Sequence, residues 1–396
     1  MDFLNDQGLI LLSGPYRGLA SQKIIRKGEV IFADVSIAVT PTIYCCSNCL
    51  SDCCTISCAC SQVGYCSSSC KDSDWIKGHR YLCNKKVDGE LILLLKTHVF
   101  LGTCDRDFNW KRDAFFNLVY DCRVTDELER IAEAQKLQLP FIGKDSVAYI
   151  QRFRRNNFRI HDSELFTIAT GVFPYGSLLN HSCIANCVVQ FKNTTLLVRS
   201  ICDILPGQEL YISYVDTIKG GKERRKELFE RYGFLCDCIK CLQEDNVGLG
   251  GGNYQMSIDD TIFDFHRANS HLSPPEYMRE QRKLALTIPT IYFDLSEFSK
   301  ASKLFHQCIH TLNWKEGSKL LSQIMAVYIL HYPANHPMLS VFGWLAAKCN
   351  WNSGGTLDCR YVDIALSVFE VAYGVDNFPL LHGEICLLSN EIAKYA

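Results

Sequence analysis

The chain carries almost no net charge and has no long hydrophobic run. Its 41 basic and 43 acidic side chains leave a formal charge of -2 across 396 residues. A protein devoted to nucleic acid or to an anionic membrane surface is strongly basic instead. The opening residues "MDFLNDQGLILLSG" lack a basic segment, and their apolar run is too short for a secretory leader. The most apolar later stretch, "LILLLKTHVFLG", is broken by Lys96 and His98 and cannot span a bilayer. The expectation is a soluble protein of the cytoplasm, the nucleus or both, with no membrane partner and no strong nucleic-acid signal. The length suits two or three domains rather than one.

Cysteine, by contrast, is abundant, with 22 in the chain. Reducing compartments keep thiols unpaired, so a disulfide framework is not the expected use. Ten of them lie between Cys45 and Cys83, the clustering of a metal module. Their spacing reads Cys46-x2-Cys49, Cys58-x-Cys60, Cys66-x3-Cys70 and His79-x3-Cys83. Eight such ligands make two closed tetrahedral zinc sites, which are structural. A segment this poor in large apolar residues takes its stability from the metal. A further cluster, Cys236-x-Cys238-x2-Cys241, offers only three thiolates. Cys183, the cysteine of another segment, is the candidate fourth ligand, against three unligated core cysteines.

Patterning divides the rest. Residues 1–44 alternate apolar and polar around the turns "SGPYRG" and "RKGEV", as short strands do. From about residue 88 to 150 apolar residues recur at helical spacing. Strand-like segments return at "VFPYGSLL", "CVVQF", "TLLVRSI" and "ELYISYV", followed by the charged helix "KERRKELFERYGF". "VGLGGGN" (247–253) reads as a flexible joint, and everything beyond it as stacked helical hairpins.

One stretch fits none of this easily. In "GSLLNHSCIANC", Gly176 to Cys187, apolar residues run straight into Asn180, His181 and Cys183. Polar groups in such a setting need partners. A lone buried His is more often a satisfied core residue than a ligand, and no local Asp or Glu makes His181 a general base.

The Cys45–Cys83 window, with Tyr65 before Cys66 and Trp75 before His79, resembles the MYND zinc finger. "LLNHSCIANC", "GQELYISYVD" and "RRKELFERYGFLCDCIKC" together with that window resemble the SMYD family of SET-domain protein lysine methyltransferases, over essentially the whole chain. The resemblance implies an α+β multidomain fold: a SET β-fold split by a MYND finger, a post-SET zinc cluster and an all-α, TPR-like C-terminal domain. Its boundaries would be 1–44 for the N-terminal SET segment, 45–84 for MYND and 85–150 for the helical SET insertion. The SET core would follow over 151–216, the post-SET segment over 217–246 and the helical domain over 254–396. Interleaved ligation is implied for MYND, with Cys46, Cys49, Cys66 and Cys70 on one zinc. Cys58, Cys60, His79 and Cys83 would hold another, and Cys183, Cys236, Cys238 and Cys241 a third. The family places two residues between the ligands of the second pair, where this chain has only Ala59. The knuckle is therefore tighter, or Cys54 replaces one ligand.

The same resemblance implies transfer of a methyl group from S-adenosylmethionine to a neutral lysine amine of a histone or non-histone protein. Tyr214 would be the catalytic tyrosine. Arg17, Gly18, Asn180, His181, Tyr214 and Phe234 would contact the cofactor, and Phe158 and Tyr232 would line the lysine channel. Ala185 stands where the family has proline. The loop Gly14-Pro15-Tyr16-Arg17-Gly18-Leu19 departs from the family's Arg-Gly-x-Gly-Leu, with Tyr16 in a glycine's place. The rival expectation is a catalytically weak scaffold acting as an adaptor, its MYND finger binding proline-containing peptides. A monomer is the default.

Overall fold

Strands before the cysteine-rich window pair across the chain with strands that follow residue 150. The computed structural model describes residues 2–13, 17–103, 109–118, 127–137, 139–140, 146–244, 260–287, 295–354 and 358–395. Val30–Val35 lies antiparallel to Thr195–Ser200, which pairs in turn with Cys187–Lys192. Ala38–Pro41 pairs with Thr167–Val172, and that strand with Asn157–His161. Each of these three-stranded sheets is thus completed by one strand from the first 44 residues. The window and the helices after it are an excursion from a β-body that closes only when the chain returns.

The excursion is tied down by buried charge. Gly89–Thr103 is apolar nearly all round, burying Leu91, Leu93, Leu94, Leu95, Val99 and Leu101 in the β-body's core. Lys96 on the same helix is buried and pairs with Asp74 of the window at 2.5 Å. The Tyr65 hydroxyl donates to the other Asp74 oxygen at 2.9 Å. Lys111, on Asn109–Phe116, likewise pairs with buried Asp34 at 3.2 Å. Breaking either pair would strand a charge in the core, so both fix the excursion's placement.

A second core belongs to the C-terminal helices Trp314–His331, Pro337–Asn352, Arg360–Ala372 and Pro379–Ala393, and Val188, Ile201 and Ile218 of the β-body enter it. Polar bonds reinforce that junction. Asn335 donates to the Ile201 carbonyl at 3.0 Å, and the Tyr332 hydroxyl to Asp216 at 3.0 Å. Buried Lys240 donates to the Thr217 and His331 carbonyls at 2.9 and 3.0 Å.

The architecture is mixed α+β with a helical C-terminal region. Several local expectations change. Asp2–Asp6 is a short helix where only strands were expected. The strand at "VFPYGSLL" stops at Val172, because Pro174 cannot donate to a ladder. A 3-10 turn, Gly176–Leu178, follows it. "ELYISYV" forms only the two-residue strand Tyr211–Ile212. An additional helix, Asp260–Asn269, precedes the helices anticipated after the joint, and the joint at 247–253 lies outside the described residues. No described helix is long and apolar enough to cross a membrane.

Candidate active site and metal centres

The polar run after Leu179 finds its partners in the next strand. Asn180–His181 pairs in parallel with Tyr211–Ile212. The Asn180 amide donates to one Glu209 oxygen at 2.7 Å, and the Tyr211 hydroxyl donates to the other at 2.7 Å. Asn186 takes over two backbone bonds: its amide donates to the Glu209 carbonyl at 2.9 Å, and its oxygen accepts from the Tyr211 N–H at 2.8 Å. These bonds hold the turn in which Ala185 replaces proline.

His181 accepts from the Tyr214 N–H through Nδ1 at 3.0 Å, which leaves its proton on Nε2, facing the Cys183 sulfur at 3.4 Å. Burial pulls the imidazole down to about 4, so it is neutral at physiological pH. Gly18 lies buried against the same carboxamide: a Cβ there would sit 2.7 Å from Asn180 Nδ2. A side chain there would have to displace both that amide and the Glu209 carboxylate. Arg17 turns instead to Asn117, donating to its carbonyl. Gly14, Pro15 and Tyr16 lie outside the described residues.

Aromatic rings gather around Tyr214. Its centroid lies 5.3 Å from His181, 4.8 Å from Tyr232 and 6.4 Å from Phe234. Its hydroxyl donates to the Leu179 carbonyl. Burial, followed by the fields of Tyr232 and Glu209, keeps this phenol protonated far above neutral pH. Tyr214, Tyr232 and Phe158 all line one cleft of about 530 Å³, together with Ser177 and Leu179. His181 and Phe234 touch Tyr214 without lining it.

The helix Gly221–Tyr232 sets two of these rings. It ends at Gly233, which is left-handed (φ 78°) and bonds back to the Leu228 and Phe229 carbonyls. Arg155 donates to the Tyr232 carbonyl at 2.5 Å. The turn separates Tyr232, on the cleft, from Phe234, beside His181.

The cysteines converge in three groups, each with ligand atoms within 4.8 Å of one another. Tetrahedral zinc with bonds of about 2.3 Å separates its ligands by roughly 3.8 Å, so all three donor sets fit that ion. Cys46 and Cys49 meet Cys66 and Cys70, with Cys66 Sγ 3.5 Å from both Cys49 and Cys70. Ser67 caps the helix Ser68–Asp74 by accepting from the Cys70 N–H, which aims that thiol inward.

The second group is Cys58, Cys60, His79 and Cys83, with Cys58 Sγ 3.2 Å from His79 Nε2. Its knuckle is the tight one: Ser61 adopts φ 57° and its N–H returns to the Cys58 carbonyl at 2.9 Å. Cys54 stays outside the group. Cys183 joins Cys236, Cys238 and Cys241 in the third, 3.6 Å from Cys241 and 4.0 Å from Cys236.

Glu209, Asn186 and Arg224 escaped the sequence reading. Arg224 is fully buried and directs its guanidinium at the third cluster, with Nε 3.3 Å from Cys183 Sγ and a terminal nitrogen 3.6 Å from Cys241 Sγ. Its position four residues before buried Leu228 was the available signal, since both fall on one helix face. Glu209 had none, because strand alternation says nothing about which carboxamide a carboxylate meets.

A family model described as the SET domain matches residues 16–215. N-lysine methyltransferase SMYD2 of Bos taurus is 25% identical over 366 residues, covering 80% of this chain and 82% of that protein. The Homo sapiens SMYD2 is 24% identical over 418 residues, covering 92% and 94%. Among solved structures, the SET domain of LSMT bound to lysine and AdoHcy aligns over 98% of this chain and 88% of that one. Its identity is 15% and its TM-score 0.36, too low to carry an argument.

Proposed function

Since the chain belongs to the SET-domain family and is related to the SMYD2 lysine methyltransferases over most of its length, we propose that it methylates protein lysines with S-adenosylmethionine. That donor, when bound, supplies a methyl group on a sulfonium that is already a good leaving group. Gly18, Asn180, His181 and Phe234 would hold it. The bare backbone of Gly18 beside Asn180 and the ring pair of Phe234 and His181 suit such a ligand.

The remaining work falls to the cleft. Phe158 and Tyr232 strip water from an incoming lysine and so favour its neutral amine. Tyr214 has committed its proton to the Leu179 carbonyl, so its oxygen keeps lone pairs that accept an amine N–H. Accepting that N–H fixes the direction of the amine's own lone pair, which is alignment rather than proton abstraction. Neutral His181 serves as a brace for the Tyr214 backbone.

One observation carries this reading: the Tyr214 N–H bonds His181, so the residues proposed for the donor and those of the cleft meet at a single tyrosine. Closed zinc sites in all three cysteine groups would be structural. A lysine-bearing protein is the substrate, and the window before it would recruit proline-containing peptides in a cytoplasmic or nuclear monomer.

Calorimetric titration with S-adenosylmethionine tests the donor side. Asn180→Ala should weaken binding about tenfold, the equivalent of a lost hydrogen bond. Radiolabelled methyl transfer to a proteome extract tests the cleft. Tyr214→Phe should cut transfer about 100-fold while circular dichroism shows the chain still folded. No heat of binding at any cofactor concentration favours the adaptor alternative, and undiminished transfer removes Tyr214 from the mechanism.

A further inference from the structure

The cleft beneath Tyr214 is ringed by one sign of charge. Arg154, Arg155, Arg159 and Arg231 line it against a single carboxylate, Asp216, which already accepts the Tyr332 hydroxyl. The compensation of these cations is uneven. Arg154 is paired with Glu90 at 2.5 Å. Arg231 shares Glu227 with Lys219, so two cations divide one carboxylate. Arg155 donates to the Tyr232 carbonyl among its bonds. Arg159 is exposed in the strand Asn157–His161, next to Phe158, with no carboxylate at ion-pair distance among the described residues.

This field reaches the aromatic throat. Burial raises the Tyr232 phenol; Arg231 and Arg159 act to lower it, and Glu227 to raise it. Burial lowers His161, and Arg159 adds to that effect while Asp162 opposes it. The two arginines therefore contribute a positive potential beside the Tyr232 ring of the cleft. Such a potential favours the neutral amine required for attack, because a nearby like charge disfavours ammonium. It also repels an approaching lysine, which arrives charged. A lysine flanked by carboxylates escapes that repulsion, since guanidinium groups bind carboxylates in a planar, bidentate fashion.

We infer that the cleft selects lysines set among acidic residues, with Arg159 as the principal specificity-determining contact and Arg231 and Arg155 beside it. The inference rests on the proposed lysine-directed function and names its substrate class. A protein segment is favoured over a nucleic acid because the chain belongs to the SET-domain family, related to protein lysine methyltransferases, and as a whole is slightly acidic.

Fluorescence anisotropy with short labelled peptides tests this without cofactor. Each peptide has a single lysine flanked by Glu, by isosteric Gln or by Arg. The Glu peptide should bind about tenfold more tightly than the Gln peptide at low salt. That advantage should shrink at high salt. Arg159→Glu should erase the preference and Arg159→Lys should retain most of it, with unchanged melting curves showing that both variants fold. Equal affinity for the Glu and Gln peptides, a preference for Arg, or no binding at all would overturn the inference. Tighter binding of a single-stranded oligonucleotide than of the Glu peptide would do the same. Methyl transfer to the same peptides separates the two claims. Charge selection without transfer sinks the enzymatic proposal and leaves the cleft's preference standing. Transfer indifferent to charge does the reverse.

Discussion

Arg224 is the buried residue whose surroundings say most about the third cysteine group. A guanidinium this enclosed needs anionic or strongly polar partners, and it finds the sulfurs of Cys183 and Cys241 and the Lys219 carbonyl. Four thiolates on one zinc would carry surplus negative charge, which Arg224 would neutralise while fixing their orientation. Arg224→Met keeps the bulk and removes the charge. It should weaken zinc at this group by about 10- to 100-fold. Native mass spectrometry after mild chelation should then find two ions where the parent chain keeps three; retention of all three would deny Arg224 this role. Asn180, His181 and Cys183 were legible in sequence as polar groups requiring partners. Glu209, which orients Asn180, was not, because its partner lies on a strand chosen by tertiary pairing.

At the level of elements, helices were read more faithfully than short strands. Gly221–Tyr232 and the C-terminal helices carry enough turns for a 3.6-residue period to show. Tyr211–Ile212 is too short for any periodicity, and its pairing is stabilised by Asn186 from outside the strand. The end of Gly221–Tyr232 matters because it aims Tyr232 and Phe234 apart. Gly233 needs a left-handed backbone, and a Cβ there would meet the Arg155 guanidinium at 2.7 Å. Gly233→Ala should cost about 1–2 kcal/mol in urea unfolding and weaken peptide binding in the cleft. A neutral effect on both would mean that the turn tolerates a side chain and does not position the rings.

Across the whole molecule, the C-terminal helices bear on the site through a few buried polar bonds. Lys240 follows Cys238 in the third cysteine group and reaches His331 in the helical region, so one side chain ties the two together. Lys240→Met leaves the Thr217 and His331 carbonyls without this donor and should destabilise the chain by about 2–3 kcal/mol. Limited proteolysis should then cut between the β-body and the helical region faster than in the parent chain. Unchanged cleavage and unfolding would show that apolar packing alone holds that junction.

The amino-acid sequence by itself determined the local chemistry: which cysteines are spaced as ligand pairs, where helices run, and which polar run demands partners. These are short-range properties, set by covalent spacing and by the period of apolar residues. The tertiary structure decided what is long-range. It chose Cys58 and Cys60 over Cys54, paired the first strands with strands beyond residue 150, and placed Glu209 against Asn180. It also drew four arginines around one cleft. Such choices depend on which buried surfaces and charges compensate one another once the chain has closed, and no local pattern contains that information.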